Sequence, residues 1–347
     1  MRSVSVEEFL AALRSGSICV FDVRSPREYA RGAIPTALPL PLFDDDERHR
    51  VGLNYIEHGR RAAIKLGLDL VGPKLRWFVE EVERHVQPGQ SVGLYCWRGG
   101  MRSSAVAWLL DFYGFDVVAL RGGYKAYRRF ALAQFAAPRQ YVILSGYTGS
   151  GKTELLGMLA RSGEATLDLE RLASHRGSAF GALGLAPQPT QQHFENRMAF
   201  ELWKHAAADR IWIEDESRRI GSLAIPDGLW SQMQSAPIVA VEIPLERRIE
   251  RLVAEYGHFP TEQLAACLRA IRERLGAERY RRAQEALASG DLATVARIAL
   301  EHYDKAYRHS LRKRADRIVW IRADSPADAL PALRRFIVHH HAVAEQR

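Results

Sequence analysis

The first 135 residues alternate short apolar runs with stretches of helical period. Ile18-Cys-Val-Phe-Asp-Val23, Ser91-Val-Gly-Leu-Tyr95 and Val117-Val-Ala-Leu120 are the near-continuous apolar runs of strands buried on both faces. Ser5, followed three positions later by Glu8, opens an apolar-periodic run to Leu13 with a capping pattern. Residues 103–113 read as an amphipathic helix. This alternation predicts a parallel α/β sheet. Pro39, Pro41 and the acidic run Asp44-Asp45-Asp46-Glu47 predict a long loop over 39–67. Residues 130–138 read as a linker or last helix closed by Pro138. The pattern then restarts with apolar runs at 141–146, 210–214 and 237–243, and turns helical from 245 to 310. There Leu264, Leu268, Ile271 and Leu275 share one face, and Arg269, Arg272 and Arg279 the other. Two domains are expected, 1–135 and 136–347, with no internal repeat.

Bulk composition narrows the class. With 347 residues each domain can bury its own core, and 47% hydrophobic with 26% charged residues fits a soluble globular chain. Neither a membrane-length apolar run nor a basic-then-apolar leader is visible. Cys19, Cys96 and Cys267 are too few and scattered for a disulfide framework or a zinc site, so a reducing cytoplasm is expected. Of 49 basic residues seven are lysine, leaving 42 arginines, and the formal net charge is +8. Forked guanidinium groups in such number suit phosphate-bearing partners, nucleic acid or small anions.

The run Tyr141-Val-Ile-Leu-Ser-Gly-Tyr-Thr-Gly-Ser-Gly-Lys-Thr153 is an apolar strand entering Gly146-x-x-x-x-Gly151-Lys152-Thr153. That pattern fixes a phosphate site. Gly146, Gly149, Ser150 and Gly151 let successive N–H groups face an anion, and Lys152 adds a point charge. Thr153 offers a hydroxyl to a metal, and the following helix directs its positive end at the phosphates.

A second anion cradle is expected at Tyr95-Cys96-Trp97-Arg98-Gly99-Gly100-Met101-Arg102-Ser103. A thiol where a strand turns into a helix meets a ring of N–H groups and the helix's partial positive charge, both of which favour thiolate. Gly99 and Gly100 permit the reversal, and Arg98 and Arg102 add charge. Cys96 is the candidate nucleophile; Cys19 and Cys267 read as apolar filler.

These residues carry a resemblance. The Cys96 loop, with Asp22-Val-Arg-Ser-Pro-Arg-Glu-Tyr29 upstream and Arg121-Gly-Gly-Tyr124 downstream, is similar to a single rhodanese domain. Gly32-Ala-Ile34-Pro35 is similar to that family's Gly-His-Ile-Pro segment, with alanine in place of histidine. Followed by a P-loop, the whole resembles the bacterial tRNA 2-selenouridine synthase family. Further matching segments are Pro41-Leu-Phe43 with the acidic run and Arg48, Gln188-Pro-x-Gln191-x-x-Phe194-Glu-Asn196, and Trp212-Ile-Glu-Asp-Glu-Ser-Arg218-x-Ile220-Gly221. The fold it implies is a rhodanese-like parallel-sheet domain followed by a P-loop NTPase-like α/β domain with a helical C-terminal part.

The resemblance also implies a cytoplasmic transferase that replaces sulfur by selenium in the wobble 2-thiouridine of tRNA. The sulfur is geranylated from geranyl diphosphate and the S-geranyl group is then displaced with selenium from selenophosphate. No tightly bound cofactor is expected. Cys96, Arg98 and Arg102 would handle selenophosphate, with Gly99 and Gly100 in its cradle, and the P-loop would hold the diphosphate. Thr153 and an acid of Glu214-Asp215-Glu216 would take Mg²⁺; Asp215 is the first choice among three acids whose strand register sequence does not fix. Arg218 and Arg219 are candidates for diphosphate or tRNA. Arg269, Arg272 and Arg279, within residues 269–282, and residues 308–317 including Lys313 are candidates for the tRNA backbone, beside Tyr280, Tyr303 and Tyr307. His339-His340-His341 reads as a solvated helix end. The partners expected are a tRNA anticodon loop and a selenophosphate supplier, no membrane, and a monomer. The main alternatives are a Cys-x5-Arg phosphatase or a sulfurtransferase fused to a nucleotide-binding module, or an inactive rhodanese domain on a P-loop adaptor.

Overall fold

The structure, a computed structural model, describes residues 1–87, 89–312 and 314–344, without the side chains at 310 and from 337 on. The chain divides into two compact units: Met1–Phe135 with Thr190–Phe200, and Ala136–Pro189 with Glu201–Arg347. Among the described residues no helix is long and apolar enough to cross a membrane.

In the first unit the strands are β1 (Arg2–Val4), β2 (Ile18–Asp22), β3 (Leu38–Pro39), β4 (Ser91–Tyr95) and β5 (Val117–Leu120). They form one all-parallel sheet in the order β1-β5-β4-β2-β3. The three expected apolar runs are its three inner strands. Phe21, Leu94, Phe78, Val106 and Leu110 belong to the core on one face. The Ser5–Glu8 capping box is present, with Glu8 N–H donating to Ser5 Oγ at 3.2 Å and Ser5 N–H to Glu8 Oε2 at 2.8 Å.

The loop expected over 39–67 is instead mostly helix, Asp45–Val71, broken at Gly59. The acidic run is its start. Asp44 Oδ1 accepts from Glu47 N–H at 2.7 Å and Glu47 Oε2 from Asp44 N–H at 2.9 Å. Carboxylates in a first turn also sit at the positive end of the helix dipole.

Residues 190–200 pack within this first unit, around the fully buried Asn196. Its amide donates to Tyr124 Oη at 2.7 Å and to Ala33 O at 2.8 Å, while its own oxygens accept from Arg128 Nη1 at 2.8 Å and Tyr127 Oη at 2.9 Å. Thr190 Oγ1 donates to Arg31 O at 2.7 Å. Every polar atom of a buried amide must find a partner, so the segment Gln191-x-x-Phe194-Glu195-Asn196 works here as a keystone of the unit.

The second unit contributes β6 (Tyr141–Gly146), β7 (Thr166–Leu167), β8 (Ile211–Glu214), a two-stranded antiparallel pair β9 (Arg219–Ile220) and β10 (Leu223–Ala224), β11 (Ile238–Glu242) and β12 (Ile318–Arg322). Its main sheet is all parallel in the order β12-β11-β6-β8-β7. β6 is central, with neighbours entering from opposite directions of the chain, and such switch points open a crevice at the strands' carboxyl ends. The helices Thr261–Ala270, Arg272–Leu275, Ala277–Ala288 and Leu292–Arg312 follow. Leu264, Leu268, Ile271 and Leu275 are buried in their common core, as their period predicts.

Candidate functional site

In the first unit, β4 ends at Tyr95 and the helix Met101–Tyr113 begins after Gly100, so the Cys96 loop lies at the carboxyl end of an inner strand. Cys96 is 3% exposed. Its Sγ accepts from Ser103 Oγ at 3.2 Å and from Gly100 N–H at 3.3 Å. Burial pushes the thiol's pKa up, but these bonds and the nearby N–H groups of Ser103 and Arg98 outweigh it and leave the thiol below the ordinary cysteine range.

The loop is held from behind by the Arg121-Gly-Gly-Tyr124 turn. Tyr124 N–H donates to Cys96 O at 2.8 Å and Lys125 N–H to Trp97 O at 2.9 Å. Gly123 has φ +57°, and a Cβ there would come within 2.3 Å of Cys96 O and 2.4 Å of Gly99 N. Only glycine lets the two backbones approach so closely.

The two arginines of the loop differ. Arg98 is exposed. Arg102 is taken by Glu28, Nη1 to Oε2 at 2.6 Å and Nη2 to Oε1 at 3.2 Å. Glu28 also accepts from Ser25 N–H at 3.1 Å. Arg102 therefore stands beside the loop as half of an ion pair rather than as an open clamp. Behind it, Arg24 is buried, its guanidinium bound to Asp22 and to Gly32 O at 2.6 Å and lying 3.8 Å over the Tyr124 ring. The Asp-Val-Arg segment thus braces the fold.

In the second unit the P-loop joins β6 to the helix Lys152–Arg161. Lys152 Nζ donates to Gly146 O at 3.0 Å, closing the loop on itself. Gly151 has φ +75°, and a Cβ there would meet Pro326 Cγ at 2.5 Å. Ser150 Oγ is buried with no partner.

Thr153 Oγ1 donates to Glu170 Oε2 at 2.9 Å. Glu214, the last residue of β8, is fully buried; Glu170 N–H donates to its Oε2 at 3.2 Å, and its Oε1 has no partner. Burial, with Glu170 and Asp168 close by, pushes the Glu214 carboxyl well above the ordinary range. Burial and Glu170 likewise raise Glu216, to about 8.

Asp215, the first choice for a metal ligand, is placed otherwise. Its carboxylate makes a bidentate pair with Arg314, both contacts at 2.9 Å, and also accepts from Ser145. The acid beside Thr153 is Glu170, backed by Glu214, while Asp215 also lines the cavity but is held by Arg314. Among the described residues no group of three or more His, Cys, Asp or Glu is arranged to hold a metal.

A cavity of about 620 Å³ extends from the P-loop into the helical part of the same unit. Lys152, Thr153 and Arg251 line it at the P-loop. Its helical part is lined by Phe180, Leu264, Leu292, Val295, Ala299 and Leu300, with Arg176 over the Tyr256 ring that packs on Phe180. Arg176 pairs with Glu255 at 2.9 Å and Arg251 with Glu154, so each cation arrives already balanced. Sequence reasoning found the loop but missed this arm, because apolar residues on one helix face signal packing whether or not they leave a space. Glu170, Arg176 and Arg251 belong to no short motif.

The remaining arginine candidates lie outside the cavity wall. Arg218 pairs with Asp227, and Arg219 donates to Ser222 O at 3.1 Å. Arg269, Arg272 and Arg279 are exposed; Arg272 lies 5.7 Å over the Tyr280 ring and Arg279 is 3.8 Å from Glu301. Tyr303 and Tyr307 face the cavity rather than a free surface. Lys313 and the side chains of His339, His340 and His341 lie outside the described residues.

The two units are thus a rhodanese-like domain with a low-pKa cysteine and a P-loop α/β domain with an amphipathic cavity. Comparison with known proteins agrees. The rhodanese-like domain family matches residues 5–130, and the tRNA 2-selenouridine synthase AAA domain matches residues 139–334. Proteins named tRNA 2-selenouridine synthase from Cupriavidus pinatubonensis and Pseudomonas fluorescens are 38% and 39% identical to this chain, covering 87% and 86% of it and 91% and 90% of their own lengths. Their counterpart from Shewanella loihica is 37% identical over 91% of this chain and 93% of its own. The chain belongs to the tRNA 2-selenouridine synthase family.

Proposed function

We propose that this protein replaces sulfur by selenium in the wobble 2-thiouridine of tRNA, in two transfers. In the first, the thiocarbonyl sulfur attacks C1 of geranyl diphosphate. An S–C bond forms, the C–O bond breaks, and diphosphate leaves with its electron pair. In the second, the selenium of selenophosphate adds at C2 of the base, the C2–S bond breaks with the geranyl group departing as its thiol, and water cleaves the Se–P bond to release phosphate. The first transfer makes a poor leaving group into a good one.

The observation that carries this reading is the cavity that joins a P-loop to an apolar arm. A diphosphate fits the N–H cradle and Lys152, and a hydrocarbon fits the leucine, valine and alanine side chains of the helical part. Lys152 and the loop amides meet the charge that develops on the departing diphosphate. Thr153 and Glu214 fit a divalent cation, since the buried Glu214 Oε1 lacks a partner and one carboxylate with a hydroxyl is what Mg²⁺ needs when phosphates supply other ligands. When bound, the ion would add positive charge at the diphosphate. Cys96, a thiol of lowered pKa in a ring of amides, is the group suited to the selenophosphate step, with Arg98 as the exposed cation at its loop.

The test is mass spectrometry of nucleosides from thiolated tRNA incubated with the full chain and both small substrates. Omitting selenophosphate should accumulate S-geranyl-2-thiouridine. Lys152→Ala should lower geranylation at least about a hundredfold, and Cys96→Ser should geranylate but make no selenouridine. Normal geranylation by the Lys152 variant would remove the P-loop from the first transfer, and normal selenation by the Cys96 variant would remove the thiol from the second.

A further inference from the structure

We infer that the wall of this cavity formed by the helix Leu292–Arg312 measures the prenyl chain, with Ala299 setting its width and Leu292 its end. The inference rests on the diphosphate reading above. Seven residues of the helix line the cavity, and five of them, Tyr307, Tyr303, Ala299, Ala296 and Leu292, fall at successive turns. Spacings of three and four residues put them on one face.

The helix is fixed in register at the phosphate end. Tyr307 Oη accepts from the N–H of Gly146, the first glycine of the P-loop, and bonds Ser145 Oγ as well. One turn further, Tyr303 Oη accepts from Ala179 N–H at 3.3 Å. Each position then stands at a set distance from the phosphate cradle. At the rise of an α-helix, Tyr303 lies about 6 Å along the axis from Tyr307, Ala299 about 12 Å and Leu292 about 22 Å.

Along that line the wall changes in bulk. Two tyrosines flank the phosphate end, two alanines follow, and Leu292 stands beyond them with Leu264 from the helix Thr261–Ala270. Between Tyr303 and Leu292 the helix presents Leu300, Ala299, Ala296 and Val295 to the cavity, and the two alanines are the smallest of these. Ala296, Ala299, Val295 and Leu300 offer no side-chain hydrogen-bonding group to water, so the compartment favours hydrocarbon. In this inference a chain that leaves the P-loop passes Ala299 and ends at Leu292.

The experiment uses the full chain, thiolated tRNA, and dimethylallyl, geranyl and farnesyl diphosphates, and reads the mass of the S-prenylated nucleoside and kcat/KM for each donor. Ala299→Phe should lower the geranyl-to-dimethylallyl ratio at least tenfold. Leu292→Ala should raise the farnesyl-to-geranyl ratio by a similar factor. A ratio is used because partial unfolding scales all three donors alike. Wild-type ratios in both variants would overturn the inference while leaving the diphosphate reading intact. If the wild-type protein transfers no prenyl group from any donor, the diphosphate reading itself fails, and this one with it.

Discussion

Cys96 shows two opposed forces on one thiol. Burial alone would hold its proton, yet Ser103 Oγ and the loop amides stabilise the thiolate and win. Ser103→Ala removes one bond of about 1 kcal/mol, worth about fivefold in thiolate fraction near neutral pH. The rate of alkylation by iodoacetamide at pH 7 should fall by that factor, and its pH midpoint should move up. A midpoint unchanged from wild type would show that the amides suffice. The reactive cysteine is legible in the sequence because strand, cysteine and paired glycines stand in order. The acid of the other site is less so. Glu214 and Asp215 are adjacent and chemically alike, and only the end of β8 decides that one is buried by the P-loop helix while the other meets Arg314.

Elements were legible where pattern and propensity agree. The inner strands β2, β4 and β5 are near-continuous apolar runs, and the strand β6 declares itself by the glycine-rich loop at its end. The helix Asp45–Val71 was hidden because two prolines precede it and its acidic start resembles a solvated loop. The same acids are the cap. Asp44→Ala should cost about 1 kcal/mol of stability, the usual worth of an N-cap carboxylate, and lower the urea midpoint without moving β4 or the Cys96 loop. No change in midpoint would mean that Lys74, 2.5 Å from Glu47, holds the turn unaided. β12 was hidden for another reason: Ile318-Val-Trp-Ile321 is an apolar run, but a short one between Arg317 and Arg322, and periodicity alone does not tell such a run from a helix segment.

At the scale of the whole molecule, charge is the broadest signal and the least specific. The net +8 reflects arginine surplus in both halves, and much of it is locally balanced. Arg281 pairs with Glu278 and Glu285, and Arg279 approaches Glu301. Arg269, Arg272 and Arg274 are exposed on neighbouring turns of the second unit. If this face meets tRNA phosphates, replacing all three by alanine should make the slope of log K against log salt shallower by about 2, measured by filter binding from low to moderate salt. An unaltered slope would send the tRNA elsewhere.

The keystone around Asn196 carries a consequence for how the gene can be divided. The polypeptide leaves its first unit after Phe135, begins the second, returns for 190–200, and departs again. A fragment ending at 135 would be stripped of the amide that satisfies Tyr124, Ala33 and Arg128, and those groups would face water or collapse inward. The rhodanese-like unit thus takes its buried Asn196 from sequence translated after the P-loop, and this part of its packing forms only once the ribosome has passed that point.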